Sequence, residues 1–184
     1  MDNRIPAAEI EQLASILDGE VRHDRSSRLM YATDASIYRE EPLALAFPLN
    51  QEDIKKRLAF ASKYRTGIIP RASGTSLAGQ VVGPGIVADL SRNFTKILEI
   101  NAEEMWVRLE PGVVPDELNA ILRSRGLLFG PETSTSNRCN LGGMIGNNGC
   151  GLHSLVYGSV RDHILEVEAI LHDGTAVNFR ELTI

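Results

Sequence analysis

The chain has 184 residues, 43% of them hydrophobic, with 16 glycines, which excludes a disordered, collagen-like or low-complexity polymer. Lys and Arg total 19 against 24 Asp and Glu, a net charge of −5, and no Lys/Arg-rich stretch offers a phosphate-neutralising face for nucleic acid. Apolar runs are too short to span a bilayer, the first residues lack a secretory h-region, and two cysteines make no disulfide framework, so a globular cytoplasmic protein is expected.

Residues 6–18 place Ile10, Leu13, Ile16 and Leu17 on one helical stripe, with Gly19 as a stop. The polar, turn-rich stretch 23–42 reads as an irregular loop, and 43–48 (LALAFP) as a buried strand. Asn50 caps a helix over about 51–64, with Asp53 completing a weak capping box and Ile54, Leu58, Ala59 and Ala61 facing inward. A further buried strand, IIP at 68–70, completes a strand–helix–strand unit of the kind that makes right-handed parallel crossovers.

The second half predicts short strands at 86–91, 96–100 and 105–109 in antiparallel pairing, with Trp106 in the core. A helix follows within 111–126, with Pro115 and Asp116 near its start and Gly126 past its end. Residues 163–171 predict a strand entered at Asp162-His163, and Asp173-Gly174 a hairpin turn into TAVNF. The expected architecture is α+β: a small parallel βαβ subdomain over about 20–80, and a mixed or antiparallel sheet with helices over about 81–184. The chain ends at ELTI directly after the hairpin, as a piece of a longer polypeptide would.

Two stretches carry candidate chemistry. The first is Arg71, Ala72, Ser73, Gly74, Thr75, Ser76, Leu77, Ala78, Gly79 and Gln80, directly after a strand. Small residues there leave successive backbone N–H groups free to form an anion-holding nest, to which Arg71 and the hydroxyls could add donors. The G-x4-G spacing is that of a nucleoside-triphosphate loop, but Gln80 stands where the lysine must be. An ordinary turn of small residues satisfies the same pattern.

The second stretch, 130–151, joins a hydroxyl run at 133–136 to amides at 137, 140, 147 and 148, and six glycines fall between 142 and 158. So many glycines disfavour a core helix, at about 1 kcal/mol each, and imply close approach to the backbone. Neutral donors with glycine suit a diphosphate and a planar heterocycle. Leu141 stands where a G-x-G-x-x-G motif needs glycine, so a Rossmann site is a poor match. A long glycine-rich surface loop is the alternative. Cys139 and Cys150 lack metal-ligand spacing and read as packing residues. His153 is either an acid–base or cofactor-linking group or a hydrogen-bonded structural one.

The two glycine stretches lie about 60 residues apart, and with TDASIY (33–38), AFPLNQEDI (46–54), VRLEPGV (107–113) and RDHILEVEAILHDG (161–174) they carry a resemblance. Across about 25–178 the chain resembles the FAD-binding (PCMH-type) domain of the vanillyl-alcohol-oxidase/para-cresol-methylhydroxylase superfamily, in the branch of D-2-hydroxyacid dehydrogenases and glycolate-oxidase-like flavoproteins. NRC with GGMIGNN is most similar to long members fused to an iron–sulfur region.

The resemblance implies that residues 71–76 with Gly79 and Gln80 wrap the FAD pyrophosphate. It places Pro131, Thr133, Ser134, Gly142, Gly143, Asn147, Asn148 and Gly151 along the rest of the cofactor. Thr75 stands where several relatives carry a flavin-linking His, which implies noncovalent FAD. The implied reaction is hydride transfer from a 2-hydroxy acid such as D-lactate, glycolate or D-2-hydroxyglutarate to the flavin, then reoxidation by an unspecified acceptor. The substrate domain, the late flavin-site segment and any iron–sulfur cluster have no counterpart here, so catalytic residues are expected outside this sequence and the chain alone is expected to be inactive. Two other readings stay open: a non-redox nucleotide-binding module, and an NADPH-using flavin reductase of the enolpyruvyl-sugar type.

Overall fold

The structure is a computed structural model that describes residues 5–181; the closing residues 182–184 of ELTI lie outside them. The chain divides into two compact units, one made of residues up to Leu90 together with those from Glu166 on, the other of Ser91–Leu165.

The first unit is built on a four-stranded sheet in the order β1-β2-β4-β3, from β1 (Glu20–Arg22), β2 (Ala44–Phe47), β3 (Ile68–Arg71) and β4 (Ile86–Asp89). β4 runs parallel to both β2 and β3 and separates them, while β1 is antiparallel to β2. β2 and β4 are buried along their whole lengths, as expected of central strands covered on both faces. On one face Ala44, Ala46 and Ile86 pack with Ile10 and Leu13 of α1 (Ala7–Ile16) and Phe60 of α3 (Gln51–Tyr64). On the other, Leu45, Phe47 and Val87 pack with Tyr31 and Ile69.

Several expectations need correction. Residues 86–89 are not part of an antiparallel second half, and the boundary falls after Leu90 rather than at 80/81, because β4 inserts into the parallel sheet. The stretch 23–42 holds a short helix, α2 (Arg25–Met30), whose first turn is capped where Asp24 accepts from Ser27 N at 2.9 Å. β7 (Glu166–Ile170) begins later than expected, because Val160–His163 form a 3₁₀ turn closed by a reciprocal Ser159–Asp162 capping box. β7 pairs with β8 (Ala176–Arg180) through the Asp173-Gly174 turn as expected, with Gly174 at φ +85°. This hairpin belongs to the first unit, not the second.

The buried face of α3 also differs. Asp53, Arg57, Phe60 and Ala61 are buried, whereas Ala59 is exposed and Ile54 and Leu58 are only half-buried. The Asp53 carboxylate accepts from the amides of Asp18 (2.9 Å), Gly19 (2.9 Å) and Leu49 (3.0 Å), so it ties the α1–β1 turn to the helix start. Asn50 caps the helix by accepting from Asp53 N at 2.9 Å, but Asp53 does not return the bond, so the capping box is half formed. Burial pushes the Asp53 carboxyl up, yet its three amide donors and nearby Lys56 outweigh that and hold it below the usual aspartate range. Arg57 is 1% exposed; burial lowers its pKa to about 10, against the pull of Asp53, and its Nη1 has no hydrogen-bond partner among the described residues.

The second unit carries an antiparallel pair, β5 (Ile97–Asn101) and β6 (Trp106–Leu109), with a register irregularity between Ile97 and Glu99. Its core gathers Val113, Leu118 and Leu122 of the α4 region (α4, Pro115–Arg123) with Cys139, Leu141, Met144 and Val160. Each such fully buried aliphatic side chain contributes about 2 kcal/mol. Trp106 is only half-buried, not a core residue: its indole N–H donates to Glu104 Oε2 at 2.6 Å, which keeps one ring edge at the surface.

Candidate functional site

The first loop leaves β3 at Arg71 and crosses residues 72–80 without helix or strand. Gly74 and Gly79 have φ of +68° and +69°, the left-handed region where glycine carries no steric penalty. Alternation of such residues with ordinary ones turns successive N–H groups toward one side and makes an anion-holding concavity. The amides of Gly74, Thr75, Ser76 and Leu77 donate to no acceptor among the described residues, and Leu77 is 80% exposed. Ala78 N is satisfied within the loop by Ser76 Oγ at 3.2 Å, and that hydroxyl in turn donates to Gln80 Oε1. Ala72 is half-buried, Ser73 exposed, and the Thr75 hydroxyl has no partner among the described residues.

Sequence reasoning missed what supports this loop. The segment 31–38 lies against it: Ala35 N donates to Gly74 O at 3.0 Å, and a Cβ on Gly79 would stand 2.5 Å from Tyr38 Cδ2. Arg71, expected to reach toward a phosphate, donates instead from Nη2 to Thr33 O (3.0 Å) and from Nη1 to Tyr31 O (3.4 Å). The TDASIY stretch was a signal for this support, read only as part of a resemblance.

The second stretch lies in the second unit. Although so many glycines disfavour a core helix, Leu141–Gly146 form a short helix, α5, containing Gly142, Gly143 and Gly146. The glycines serve the chain's own packing: a Cβ on Gly142 would meet Pro111, with Pro111 Cα and O both at 3.0 Å. Gly142 N donates to Pro111 O at 2.8 Å and Leu141 N to Val113 O at 2.9 Å, so two of the helix's first amides are satisfied by the preceding turn. A Cβ on Gly151 would strike the Glu132 backbone, and one on Gly130 would stand 2.6 Å from Tyr157 Cγ.

Of the other expected residues, Pro131 is fully buried, and Thr133 Oγ1 lies 3.3 Å from both Thr135 Oγ1 and Cys139 Sγ. Ser134, Gly143 and Asn147 are exposed. Asn148 takes φ +46°, and its side-chain oxygen accepts from Arg161 N at 3.0 Å, so it fastens the loop. Cys139 is buried and Cys150 exposed, both as free thiols. His153 is paired: its Nδ1 lies 2.9 Å from Glu132 Oε1. A cavity of about 280 Å³ in this unit is lined in part by Asn119, Phe129, Pro131, Glu132, His153 and Tyr157. That is below the range of about 300–1,000 Å³ of sites that enclose drug-sized ligands, so a dinucleotide does not fit inside it. Among the described residues no group of three His, Cys, Asp or Glu side chains could hold a metal, and no helix is long and apolar enough to cross a membrane.

The family model described as FAD binding domain matches residues 42–180. The D-2-hydroxyglutarate dehydrogenase of Pseudomonas putida is 45% identical over 159 residues, covering 85% of this chain and 16% of the relative. That of Escherichia coli K12 is 42% identical, covering 96% and 17%, and a Bacillus subtilis glycolate oxidase subunit, GlcD, is 33% identical, covering 91% and 36%. This chain therefore spans about a sixth of the curated dehydrogenases it matches. Among solved structures, alkyldihydroxyacetonephosphate synthase superposes with a TM-score of 0.83 at 19% identity, covering 96% of this chain and 35% of that one, a likeness of fold. A 6-hydroxy-D-nicotine oxidase from Arthrobacter nicotinovorans gives 0.77 at 24% identity, covering 89% and 36%.

Proposed function

The chain belongs to the FAD binding domain family, and on that premise we propose that it is the flavin-holding part of an oxidoreductase acting on a 2-hydroxy acid. D-2-hydroxyglutarate is the first substrate to test, because two of the relatives above carry that name; glycolate and D-lactate follow. The observation that carries the reading is the row of amides from the left-handed Gly74 to Leu77, without acceptors among the described residues and followed by a second left-handed glycine, Gly79. A diphosphate is the matching partner: a compact anion with several acceptor oxygens that needs main-chain donors rather than a lysine. The donor set thus fits the pyrophosphate of FAD.

In this reading the first loop, with the Thr75 hydroxyl, holds the diphosphate, and Thr75 offers no imidazole for covalent attachment. Pro131, Thr133, Ser134, Gly142, Gly143, Asn147, Asn148 and Gly151 remain the proposed second contact set. Asn148, Gly142 and Gly151 would act by shaping their segment, since their side chains or Cα positions already serve internal contacts. FAD, when bound, supplies the hydride acceptor for oxidation of the substrate's α-carbon. The substrate base, the electron acceptor and any iron–sulfur cluster belong to residues outside this sequence, and a cytoplasmic location is part of the same proposal.

Reconstitution with FAD followed by gel filtration and an absorption spectrum tests this. A yellow protein whose bound flavin is released on denaturation, inactive toward D-2-hydroxyglutarate with a dye acceptor, is expected. Binding of ATP or a sugar nucleotide in preference to FAD would favour a non-redox nucleotide module and overturn the reading.

A further inference from the structure

Arg71 stands at the base of the nest, the one cation in its run of ten residues, and charge alone would assign it to the phosphate. Its surroundings say otherwise. The guanidinium lies over the Tyr31 ring, Cζ 4.9 Å from the centroid, while Nη2 and Nη1 donate to the carbonyls of Thr33 and Tyr31. The ring beneath it is anchored at its far end, where Tyr31 Oη donates to Asp89 Oδ2 at 2.6 Å. Asp89 ends β4 in register with Arg71 at the end of β3, so the stack sits where the two strands deliver the chain into the loop. Gly74 also packs closely on the guanidinium: a Cβ there would stand 2.5 Å from Arg71 Nη2, 2.9 Å from Cζ and 3.2 Å from Nε.

We propose that Arg71 is a positioning residue and not a phosphate ligand: its guanidinium packs against both Tyr31 and Gly74 and holds the loop in the conformation that exposes the amides of Gly74–Leu77. Gly74 is then a glycine for two reasons, its left-handed φ and the flat cation pressed against its Cα. The fork matters as much as the charge, since a lysine ammonium can neither stack nor reach two carbonyls in one plane. The ligand side of this inference rests on the flavin reading above; the loop-holding side does not.

Two readouts separate them. In flavin-free protein, exchange of the Ala35 amide, which donates to Gly74 O, reports docking of the loop on segment 31–38. Arg71→Lys and Arg71→Ala should both speed it by about tenfold, and Tyr31→Leu should do the same by removing the ring under the guanidinium. With FAD, both Arg71 variants should weaken binding by a similar factor, about tenfold, and leave its salt dependence as in the wild type. Gly74→Ala should weaken binding less in the Arg71→Ala background than in the wild type, because the clash partner is gone. Wild-type affinity in Arg71→Lys with loss in Arg71→Ala, or a flattened salt dependence in either, would identify a direct phosphate contact and overturn the proposal. Unchanged Ala35 exchange in all three variants would overturn it equally. If wild-type protein takes up no FAD, the flavin reading fails while the exchange data still decide the role of Arg71; should Arg71→Ala fail to fold, Arg71→Lys and Tyr31→Leu carry both measurements.

Discussion

Removal of the Asp53 carboxylate is the sharpest perturbation of the first unit. Asp53→Ala strips the acceptor from three amides, those of Asp18, Gly19 and Leu49, and takes the counter-charge from Arg57, which is 1% exposed. Leaving buried donors unsatisfied costs about 1–3 kcal/mol, and loss of the carboxylate's attraction for the Arg57 guanidinium adds to it. The amides are only part-buried and regain some water, so a loss of about 3–4 kcal/mol is expected, or about 10 °C in Tm at about 2–4 °C per kcal/mol for a chain of this size. The carboxyl is held below its usual value, so its contribution is fully present above the unfolded value of about 3.9 and is lost as pH falls through the lower folded one. Urea titrations of wild type and Asp53→Ala from neutral pH to about pH 3 should therefore show a gap that narrows only below about pH 4. A gap under about 1 kcal/mol at neutral pH, or one independent of pH, would refute the assignment of Asp53 as the tie between α1 and α3.

The other predictions follow from particular contacts. Arg57→Met removes a buried cation that burial holds at about 10, a penalty of about 3 kcal/mol at about 1.4 kcal/mol per pH unit, and one nitrogen that lacks a partner. Asp53 keeps its three amides, so equilibrium unfolding should show a neutral to stabilising change, and a loss above about 2 kcal/mol would contradict it. Gly142→Ala forces α5 away from Pro111 and should destabilise the second unit by about 1–3 kcal/mol in calorimetry, whether or not flavin binds there. Leu155→Ser, at a side chain 99% exposed, should shift the urea midpoint by less than about 0.5 kcal/mol equivalent.

Local signals in the sequence located most of the elements. Ile10 and Leu13 of the α1 stripe, the Asn50 cap of α3, the Pro115 start of α4 and the Asp173-Gly174 turn all lie where short-range chemistry places them, whereas Ile16, expected on the same stripe, is 46% exposed. Long-range pairing was not legible in the same way: IVAD at 86–89 reads as a strand in any arrangement, and only the folded chain shows it inserted between β2 and β3. The burial of Asp53 and Arg57 escaped because apolar periodicity cannot register a charged residue on a buried face. Glycine counting found the second candidate segment but misread several of its causes. Gly142, Gly130 and Gly151 admit Pro111, Tyr157 and the Glu132 backbone, and the sequence does not distinguish a close approach by the chain from one by a ligand. The first loop was legible as a turn of small residues with free amides; its dependence on segment 31–38 was visible only as an unexplained motif.

The most direct measurement is a ¹⁵N amide titration of the chain with FAD, followed at Gly74, Thr75, Ser76 and Leu77. These four amides, without acceptors among the described residues, should show the downfield shifts of new hydrogen bonds to phosphate, and ADP-ribose should reproduce them without the flavin ring. Saturation with FAD that leaves all four unmoved would contradict the account.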